Sequence, residues 1–249
     1  MSSYKVYYIN LEKSEERRRF MEDQFKKLNI PITRIPAIYG KELDSDFLKK
    51  EKRKHHILAH FPFPNDGEIG ICLTHFKLWK TLSEQPEEYA IVLEDDAQVH
   101  EDFFHDLEQL LAQITINDFI DISGKKGFYS LEKKELLTIF LMPPVLMIGQ
   151  IIGRNAAKKL SLNLSSYYAP IDVMKQDVYK HKVKLASTNK QYVASIDKKM
   201  GGSTIQQNKM TLWRKILREI IRPFWQITSL LTYKGYRIIS NYFFYKRIK

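Results

Sequence analysis

The sequence predicts an α/β fold, and three observations support that class. Residues Lys5 to Ile9 are β-branched and aromatic, a segment with helical spacing follows, and Ile32 to Pro36 is again β-prone. A strand, a helix and a second strand in this order are typical of an α/β layer. The third observation is the run Ala90 to Leu93, an apolar strand that leads directly into three carboxylates. Ligands of such sheets bind at the carboxyl ends of the strands, so these carboxylates mark the predicted site.

The helix after the first strand is predicted from the spacing of its apolar residues. Phe20, Met21, Phe25 and Leu28 recur at helical intervals, which places them on one face. Ser14 is the predicted N-cap, because its hydroxyl can accept a hydrogen bond from a backbone N–H of the first turn.

The remaining elements are predicted in chain order. Residues 41–66 are rich in charge and then in proline, which predicts a solvated helix followed by a loop. The later predictions are a helix at Glu68 to Ser83, the strand Ala90 to Leu93, strands at Phe119 to Ser123 and Leu137 to Leu141, and a helix at Asn155 to Leu162.

Length and composition fit one medium-sized domain with an appendage. The chain has 249 residues, of which 44% are hydrophobic, enough to bury one core. Cys72 is the only cysteine, so no disulfide can form within the chain. The N-terminus lacks the features of a secretory signal, and no apolar run reaches the roughly 20 residues that span a bilayer. We therefore expect a cytoplasmic protein.

The net charge of +11 is concentrated near the C-terminus. Residues Thr211 to Lys249 include nine Lys and Arg and one acid, a net of +8, whereas the other 210 residues have a net charge of only +3. A nucleic-acid-binding domain spreads basic charge over its docking face, so nucleic acid is not an expected partner. We predict a domain over residues 1–208 and a basic, aromatic-rich tail over residues 209–249.

The composition of the tail predicts contact with a membrane surface. Leu212 to Arg222 alternates apolar and charged pairs, and an aromatic, basic composition continues through Tyr236 and Tyr242 to Tyr245. A basic amphipathic helix with aromatic anchors is typical of segments that lie in the interface of an anionic membrane. The alternatives are packing of the tail on the domain and a homodimer contact.

The three carboxylates after the apolar strand are Glu94, Asp95 and Asp96. Adjacent carboxylates repel one another, and hard cations such as Mg²⁺ and Mn²⁺ bind carboxylate oxygens while keeping positions open for phosphates. The sequence therefore predicts a divalent metal at the end of this strand. The alternative is a solvated turn.

A second set of candidate residues lies on the helix that follows the proline-rich loop. Glu68, Cys72, His75 and Trp79 are spaced so that they form one stripe, and apolar neighbours indicate that this stripe faces inward. Buried ionisable groups need partners, so Glu68 and His75 are candidate site residues. The alternative for His75 is a hydrogen-bonded core histidine.

A third candidate is Asp172, which follows Pro170 and two tyrosines. A carboxylate within hydrogen-bond reach of an attacking hydroxyl can act as a general base, and Asp172 is the predicted base with Glu68 as the second choice. The alternative for Asp172 is a helix N-cap.

Together these segments resemble glycosyltransferase family 25, the lipooligosaccharide and lipopolysaccharide sugar transferases of Gram-negative bacteria. The matching motifs are Ile9-Asn10-Leu11 with Arg17 and Arg18, Ile35-Pro36-Ala37 with Gly40, Gly67 to Cys72 with Thr74-His75, Val92 to Asp96, and Pro170-Ile171-Asp172. The resemblance spans roughly residues 4–205, and the combination is more specific than any single motif.

The resemblance implies a GT-A type, Rossmann-like fold and an inverting transfer from a nucleotide-sugar donor, most often UDP-galactose. It also implies a divalent metal, Mn²⁺ or Mg²⁺, and a lipid-linked glycan acceptor, with the enzyme on the cytoplasmic face of the inner membrane. Asp96 and Glu94 match the metal-binding motif, and Glu94 and Asp95 also contribute to the donor site.

The resemblance places other residues near the donor. Asn10, Leu11 and Arg17 match the segment expected beside the nucleotide, and Glu68 and His75 match the helix expected to line the donor sugar pocket.

One segment departs from the family pattern. Met147-Ile148-Gly149-Gln150, followed by Gly153-Arg154, stands where many members carry a Thr-His-Ala-Tyr-like segment. The departure predicts either a different sugar or acceptor preference or an impaired site. Two other functions remain open. A metal-dependent phosphohydrolase or nucleotidyltransferase would use the same acids, and a non-catalytic membrane- or nucleic-acid-binding module would use the basic tail.

Overall fold

The computed structural model describes residues 3–53, 65–200 and 234–248. The elements in chain order are β1 (Tyr4–Asn10), α1 (Glu15–Leu28), β2 (Ile32–Pro36), α2 (Ser45–Arg53), α3 (Asp66–Ser83), β3 (Tyr89–Glu94), β4 (Ala97–Val99), α4 (Asp102–Ala112), β5 (Asp118–Asp121), β6 (Phe128–Lys133), β7 (Leu137–Met142), β8 (Gly149–Gly153), α5 (Arg154–Asn163), α6 (Ile171–Lys175), α7 (Val178–His181), β9 (Lys184–Thr188), β10 (Val193–Ser195) and α8 (Gly235–Ile248). Short 3₁₀ turns cover Gly40–Glu42 and Asp197–Met200.

Eight strands form one mixed sheet in the order β2-β1-β3-β8-β5-β9-β7-β6, and β4 pairs with β10. β2, β1 and β3 are parallel, which confirms the predicted α/β class with a Rossmann-like first half. β8 is antiparallel to both β3 and β5, so the carboxyl ends of β1, β3 and β5 lie along one edge. We call this edge the site edge.

The predicted burial of the central strand and of the helical stripe is confirmed. Ile91, Val92 and Leu93 of β3 are inaccessible to solvent, as expected of a strand covered on both faces. Cys72 and Trp79 of α3 are equally buried, so the stripe does face inward.

Ser14 occupies the predicted N-cap position of α1, but the predicted capping hydrogen bond from its side chain is not formed. Instead, the Ser14 backbone N–H donates to the Leu11 carbonyl at 2.9 Å, and the Asn10 side chain donates to the Ser14 carbonyl at 3.1 Å. The turn before α1 therefore fixes the side chain at the end of β1.

The last helix is part of the domain. α8 buries Arg237, Asn241 and Tyr245, and Asn241 Nδ2 donates to the carbonyls of Leu141 at 3.2 Å and Gln176 at 2.8 Å. Packing on the domain, the alternative expectation for the tail, therefore describes residues 235–248. The amphipathic segment at 212–222 and the boundary after residue 208 lie outside the described residues. None of the helices in the described ranges is long and apolar enough to cross a membrane.

Candidate active site

At the site edge, Asp95 is held by two side chains from the first strand and helix. The parallel pairing of β1 with β3 sets Ile9 beside Glu94, so the next residue of β1, Asn10, reaches the acids. Asn10 Nδ2 donates to Asp95 Oδ2 at 2.8 Å, and Arg17 Nη1 donates to Asp95 Oδ1 at 2.9 Å. Burial raises the pKa of Asp95, and these hydrogen bonds oppose that shift. The positive charge of the Arg17 guanidinium therefore offsets part of the repulsion among the three carboxylates.

The buried carboxylate of Asp96 accepts a hydrogen bond from a residue that is distant in the sequence. The antiparallel pairing of β10 with β4 places Ser195 opposite Ala97, and the Ser195 hydroxyl donates to Asp96 Oδ2 at 2.5 Å. The Ile196 N–H also donates to the Asp96 carbonyl at 3.0 Å. Sequence reasoning did not identify Ser195, because no local pattern links a three-residue strand to an acid 99 residues away.

Glu94 lies among other carboxylates. Its pKa is raised to about 8 by burial first, and then by the charges of Asp96, Asp95 and Asp172, while Arg17 opposes the shift. Lys175 of α6 contacts Asp121 at the end of β5, so α6 lies at the same edge of the sheet. Acids of two predicted sets therefore lie at the site edge.

Asp172 lies in the first turn of α6, one residue inside the helix. The N-cap position is Pro170 rather than Asp172, so the N-cap alternative is wrong. Asp172 Oδ1 accepts a hydrogen bond from the Val173 N–H at 2.9 Å, burial raises the pKa of Asp172, and the charge of Lys175 opposes that shift. The pKa of this carboxylate is thus higher than that of a solvated aspartate.

Lys175 anchors α6 to the sheet. Its side chain is buried, with Nζ 3.2 Å from Asp121 Oδ2 at the end of β5, and it also donates to the Leu146 carbonyl. A buried ammonium needs such partners, because burying an unpaired charge is costly. Asp172 and Lys175 are one helical turn apart, so this anchor also fixes the position of Asp172 relative to β5.

Glu68 has a structural role that sequence reasoning missed. It forms a capping box with Asn65: Glu68 N–H donates to Asn65 Oδ1 and Asn65 N–H donates to Glu68 Oε2, each at 2.9 Å. The Asn-x-x-Glu spacing is a readable signal for this motif. Burial raises the pKa of Glu68, and the charge of Asp172 raises it further, so both carboxylates are near the same site. Each of the two carboxylates has one oxygen that accepts a backbone N–H, so the choice of Asp172 over Glu68 as the base stays a prediction.

His75 is fully buried on the face of α3 that packs against the core. Neither ring nitrogen has a hydrogen-bond partner among the described residues. The alternative that His75 is a hydrogen-bonded core histidine is therefore wrong for the part of the chain that the structure describes. Burial, with the charge of Lys175, lowers the pKa of His75 to about 3, so the ring is neutral. Its ring centroid lies 5.7 Å from that of Trp79. A donor-sugar role for His75, like the nucleotide role of the partly exposed Leu11, stays a prediction.

The divalent cation predicted at these carboxylates stays a prediction. Within ranges 3–53, 65–200 and 234–248, no three His, Cys, Asp or Glu side chains are grouped to hold a metal ion. Both oxygens of Asp95 are engaged by Asn10 and Arg17, and one oxygen of Asp96 accepts from Ser195, which leaves Glu94 and the other oxygen of Asp96. One or two carboxylates suffice for Mg²⁺ when phosphates and water complete the shell. The raised pKa of Glu94 marks a place where added positive charge is favourable.

The raised pKa of Glu94 predicts a pH-dependent stability. Between its ordinary value of 4.5 and about 8, Glu94 is protonated in the folded protein and ionised in the unfolded one. The folded state then binds more protons, so this residue makes the free energy of unfolding fall as pH rises through that window. We expect Glu94→Gln to reduce this fall, measured by urea unfolding at pH 5 and pH 9. An unchanged pH dependence would contradict the assignment.

A family model described as "Glycosyltransferase family 25 (LPS biosynthesis protein)" matches residues 3–148, more than half of the chain. The chain belongs to glycosyltransferase family 25. The matched range of this family 25 chain contains Asn10, Arg17, Glu68 and the acids at 94–96, whereas Asp172 lies beyond it. Membership agrees with the α/β, GT-A type fold predicted from the sequence.

Curated relatives of this family 25 chain match it over limited ranges. Procollagen galactosyltransferase 1-B of Xenopus laevis is 32% identical over 122 residues, which cover 47% of this chain and 20% of the relative. A glycosyltransferase 25 family member of Drosophila pseudoobscura pseudoobscura is 31% identical over 100 residues, covering 36% and 15%. Procollagen galactosyltransferase 2 of Homo sapiens is 27% identical over 113 residues, covering 44% and 18%. The matches thus span no more than a fifth of these relatives.

Two solved structures show weak likeness. A glycosyltransferase involved in the glycosylation of the major capsid of PBCV-1 has a TM-score of 0.34 and 8% identity, over 66% of this chain and 65% of that one. A197 from STIV has a TM-score of 0.39 and 11% identity, over 85% of this chain and 100% of that one. Scores this low add nothing to the assignment.

Proposed function

We propose that this family 25 chain is a metal-assisted, inverting glycosyltransferase that moves galactose from UDP-galactose onto a glycan. The observation that carries the proposal is the position of Glu94 and Asp96 after β3, with Asp172 on a helix that Lys175 holds at the end of β5. This is the edge where α/β sheets bind ligands. Galactose is the proposed sugar because relatives at about a third identity are named galactosyltransferases.

The proposed acceptor is a lipid-linked lipooligosaccharide or lipopolysaccharide glycan. The description of the matching family model as an LPS biosynthesis protein supports this choice. Such an acceptor places the protein in the cytoplasm, at the inner face of the inner membrane. The relatives named for procollagen differ in acceptor, and single contacts in a pocket are enough to change such a preference.

In the proposed reaction, the acceptor oxygen bonds to the anomeric carbon of the sugar while the bond from that carbon to the diphosphate breaks. Asp172 takes the proton of the acceptor hydroxyl as general base. Asn10 and Arg17 orient Asp95, which keeps the acidic turn in place, and Lys175 holds α6 against β5. A divalent cation held by Glu94 and Asp96 would supply Lewis-acid stabilisation of the charge on the leaving diphosphate.

Metal-dependent nucleotide binding tests the proposal. Isothermal titration calorimetry with UDP should show binding that strengthens when Mn²⁺ is present and that Asp96→Ala abolishes. Asp46→Ala is the matched control, since this carboxylate is exposed and lies on α2. Failure of UDP to bind with or without Mn²⁺ would overturn the donor assignment. Hydrolysis of UDP-galactose that no acceptor stimulates would favour the phosphohydrolase or nucleotidyltransferase instead.

A further inference from the structure

The outward surface of α8 combines aromatic, aliphatic and basic side chains. We call this surface the outer face of α8; it consists of Tyr236, Ile239, Tyr242, Phe243, Lys246 and Arg247. We infer that the outer face of α8 docks on an anionic lipid bilayer and lies in its headgroup region. The inference deepens the proposed placement at a membrane and rests on that placement, but not on the sugar transferred.

The opposite face of the same helix fixes its orientation. Arg237, Asn241 and Tyr245 recur every four residues and are buried against the domain. Arg237 Nη1 donates to Gln176 Oε1 at 3.1 Å, and the Arg237 Nε–H donates to the Asp177 carboxylate. Because these polar contacts hold the inner face, the helix cannot rotate its other face toward the core without leaving buried charges unpaired.

The outer face exposes several neighbouring apolar side chains to solvent. Tyr236, Ile239 and Phe243 lie at helical spacing and are 59%, 58% and 54% exposed, and Tyr242 beside them is 47% exposed. Contiguous exposed apolar groups mark contact surfaces. Tyrosine suits the boundary of a membrane, because its ring enters the apolar layer while its hydroxyl stays in water.

The charge of the outer face selects a bilayer with anionic lipids over a second copy of this chain. α8 contains no acid, and Lys246 and Arg247 are exposed at its end. α8 has no carboxylate that could pair with Lys246 and Arg247 of a second copy, whichever direction the two helices ran. Anionic headgroups supply the complementary charge for Lys246 and Arg247.

Vesicle sedimentation of the full chain tests the inference. We expect the protein to pellet with vesicles of phosphatidylcholine mixed with phosphatidylglycerol, and much less with phosphatidylcholine alone. The double variants Tyr236→Ser/Phe243→Ser and Lys246→Glu/Arg247→Glu should each weaken binding on the order of tenfold. The matched control is Phe128→Ser/Tyr129→Ser, which removes two exposed aromatics of β6 and should bind like the original protein.

Two results would overturn the inference. One is vesicle binding that neither α8 variant weakens. The other is light scattering that shows a dimer lost in the α8 variants, which would assign the face to a second copy. Since the substituted side chains are exposed and lie outside the proposed site, UDP binding should stay unchanged. Loss of vesicle binding with retained UDP binding is therefore distinguishable from a failure of the proposed reaction.

Discussion

Replacing Asp172 with asparagine is expected to slow sugar transfer by about 10²- to 10⁴-fold while UDP binding persists, because general-base assistance contributes a factor of that size. Asparagine keeps the shape of the side chain and can still accept the hydrogen bond from Val173 N–H. The measurement is single-turnover transfer from UDP-galactose to a soluble glycan. Because burial raises the pKa of Asp172, the acid limb of the pH–rate profile should lie above the ordinary value of 3.8.

Glu68→Gln is the matched control for that variant. Glutamine can complete a capping box as glutamate does, so α3 should keep its N-terminus. We expect transfer by Glu68→Gln to stay within about tenfold of the original rate, since this variant removes a neighbouring charge but not the base. If Glu68→Gln were the slower of the two enzymes, the base would be Glu68, and Asp172 would be a neighbour that tunes it.

Replacing Arg237 with methionine is expected to lower the free energy of unfolding by about 3 to 5 kcal/mol, the usual cost of removing one partner of a buried ion pair. Arg237 pairs with the fully buried Asp177 carboxylate, which also accepts a hydrogen bond from the Tyr168 hydroxyl at 2.7 Å. Without the guanidinium, Asp177 is left with less compensation for its burial. Urea unfolding followed by circular dichroism measures the loss.

Lys180→Met is the control for Arg237→Met, because Lys180 pairs with the same carboxylate from the surface. Its Nζ lies 3.2 Å from Asp177 Oδ2, but its side chain is 32% exposed against 3% for Arg237. Solvent screens such a pair, and we expect a loss of about 1 kcal/mol or less. Equal losses in the two variants would mean that burial of the arginine is not what stabilises this contact.

The first half of the fold could be predicted because its signals are local. The apolar residues of β1 and the helical spacing in α1 needed no knowledge of distant residues, and both elements lie where the pattern placed them. β9 and β10 were missed. Lys184–Thr188 mixes lysine, leucine, alanine, serine and threonine, and it is a central strand only because β5 and β7 pair with it. Strand propensity depends on such neighbours, which a single segment does not reveal.

The candidate site divides in the same way. The acids at 94–96 were located by their place after an apolar strand, and Arg17 was singled out only through the resemblance to a family. Ser195 contacts Asp96 across 99 positions, and Lys175 contacts Asp121 across 54 positions. No short sequence motif can predict contacts between residues so far apart. The packing of α8 on the domain was only an alternative for a related reason: a basic, aromatic segment does not reveal that one of its arginines has a buried partner. Removing residues 209–249 as a dispensable appendage is therefore not expected to leave the domain intact.

The contacts of α8 also constrain how the protein is made. Asn241 donates to the Leu141 carbonyl, 100 residues earlier, and Arg237 meets Asp177 across 60 residues. A nascent chain that has reached residue 200 already carries every carboxylate of the site, but Asp177 still lacks its guanidinium. Contacts of such long range slow folding and prolong the exposure of partly folded states. During translation, the order of synthesis thus leaves the segment around α6 incomplete until α8 has emerged from the ribosome, and this interval is when the chain most needs protection from aggregation.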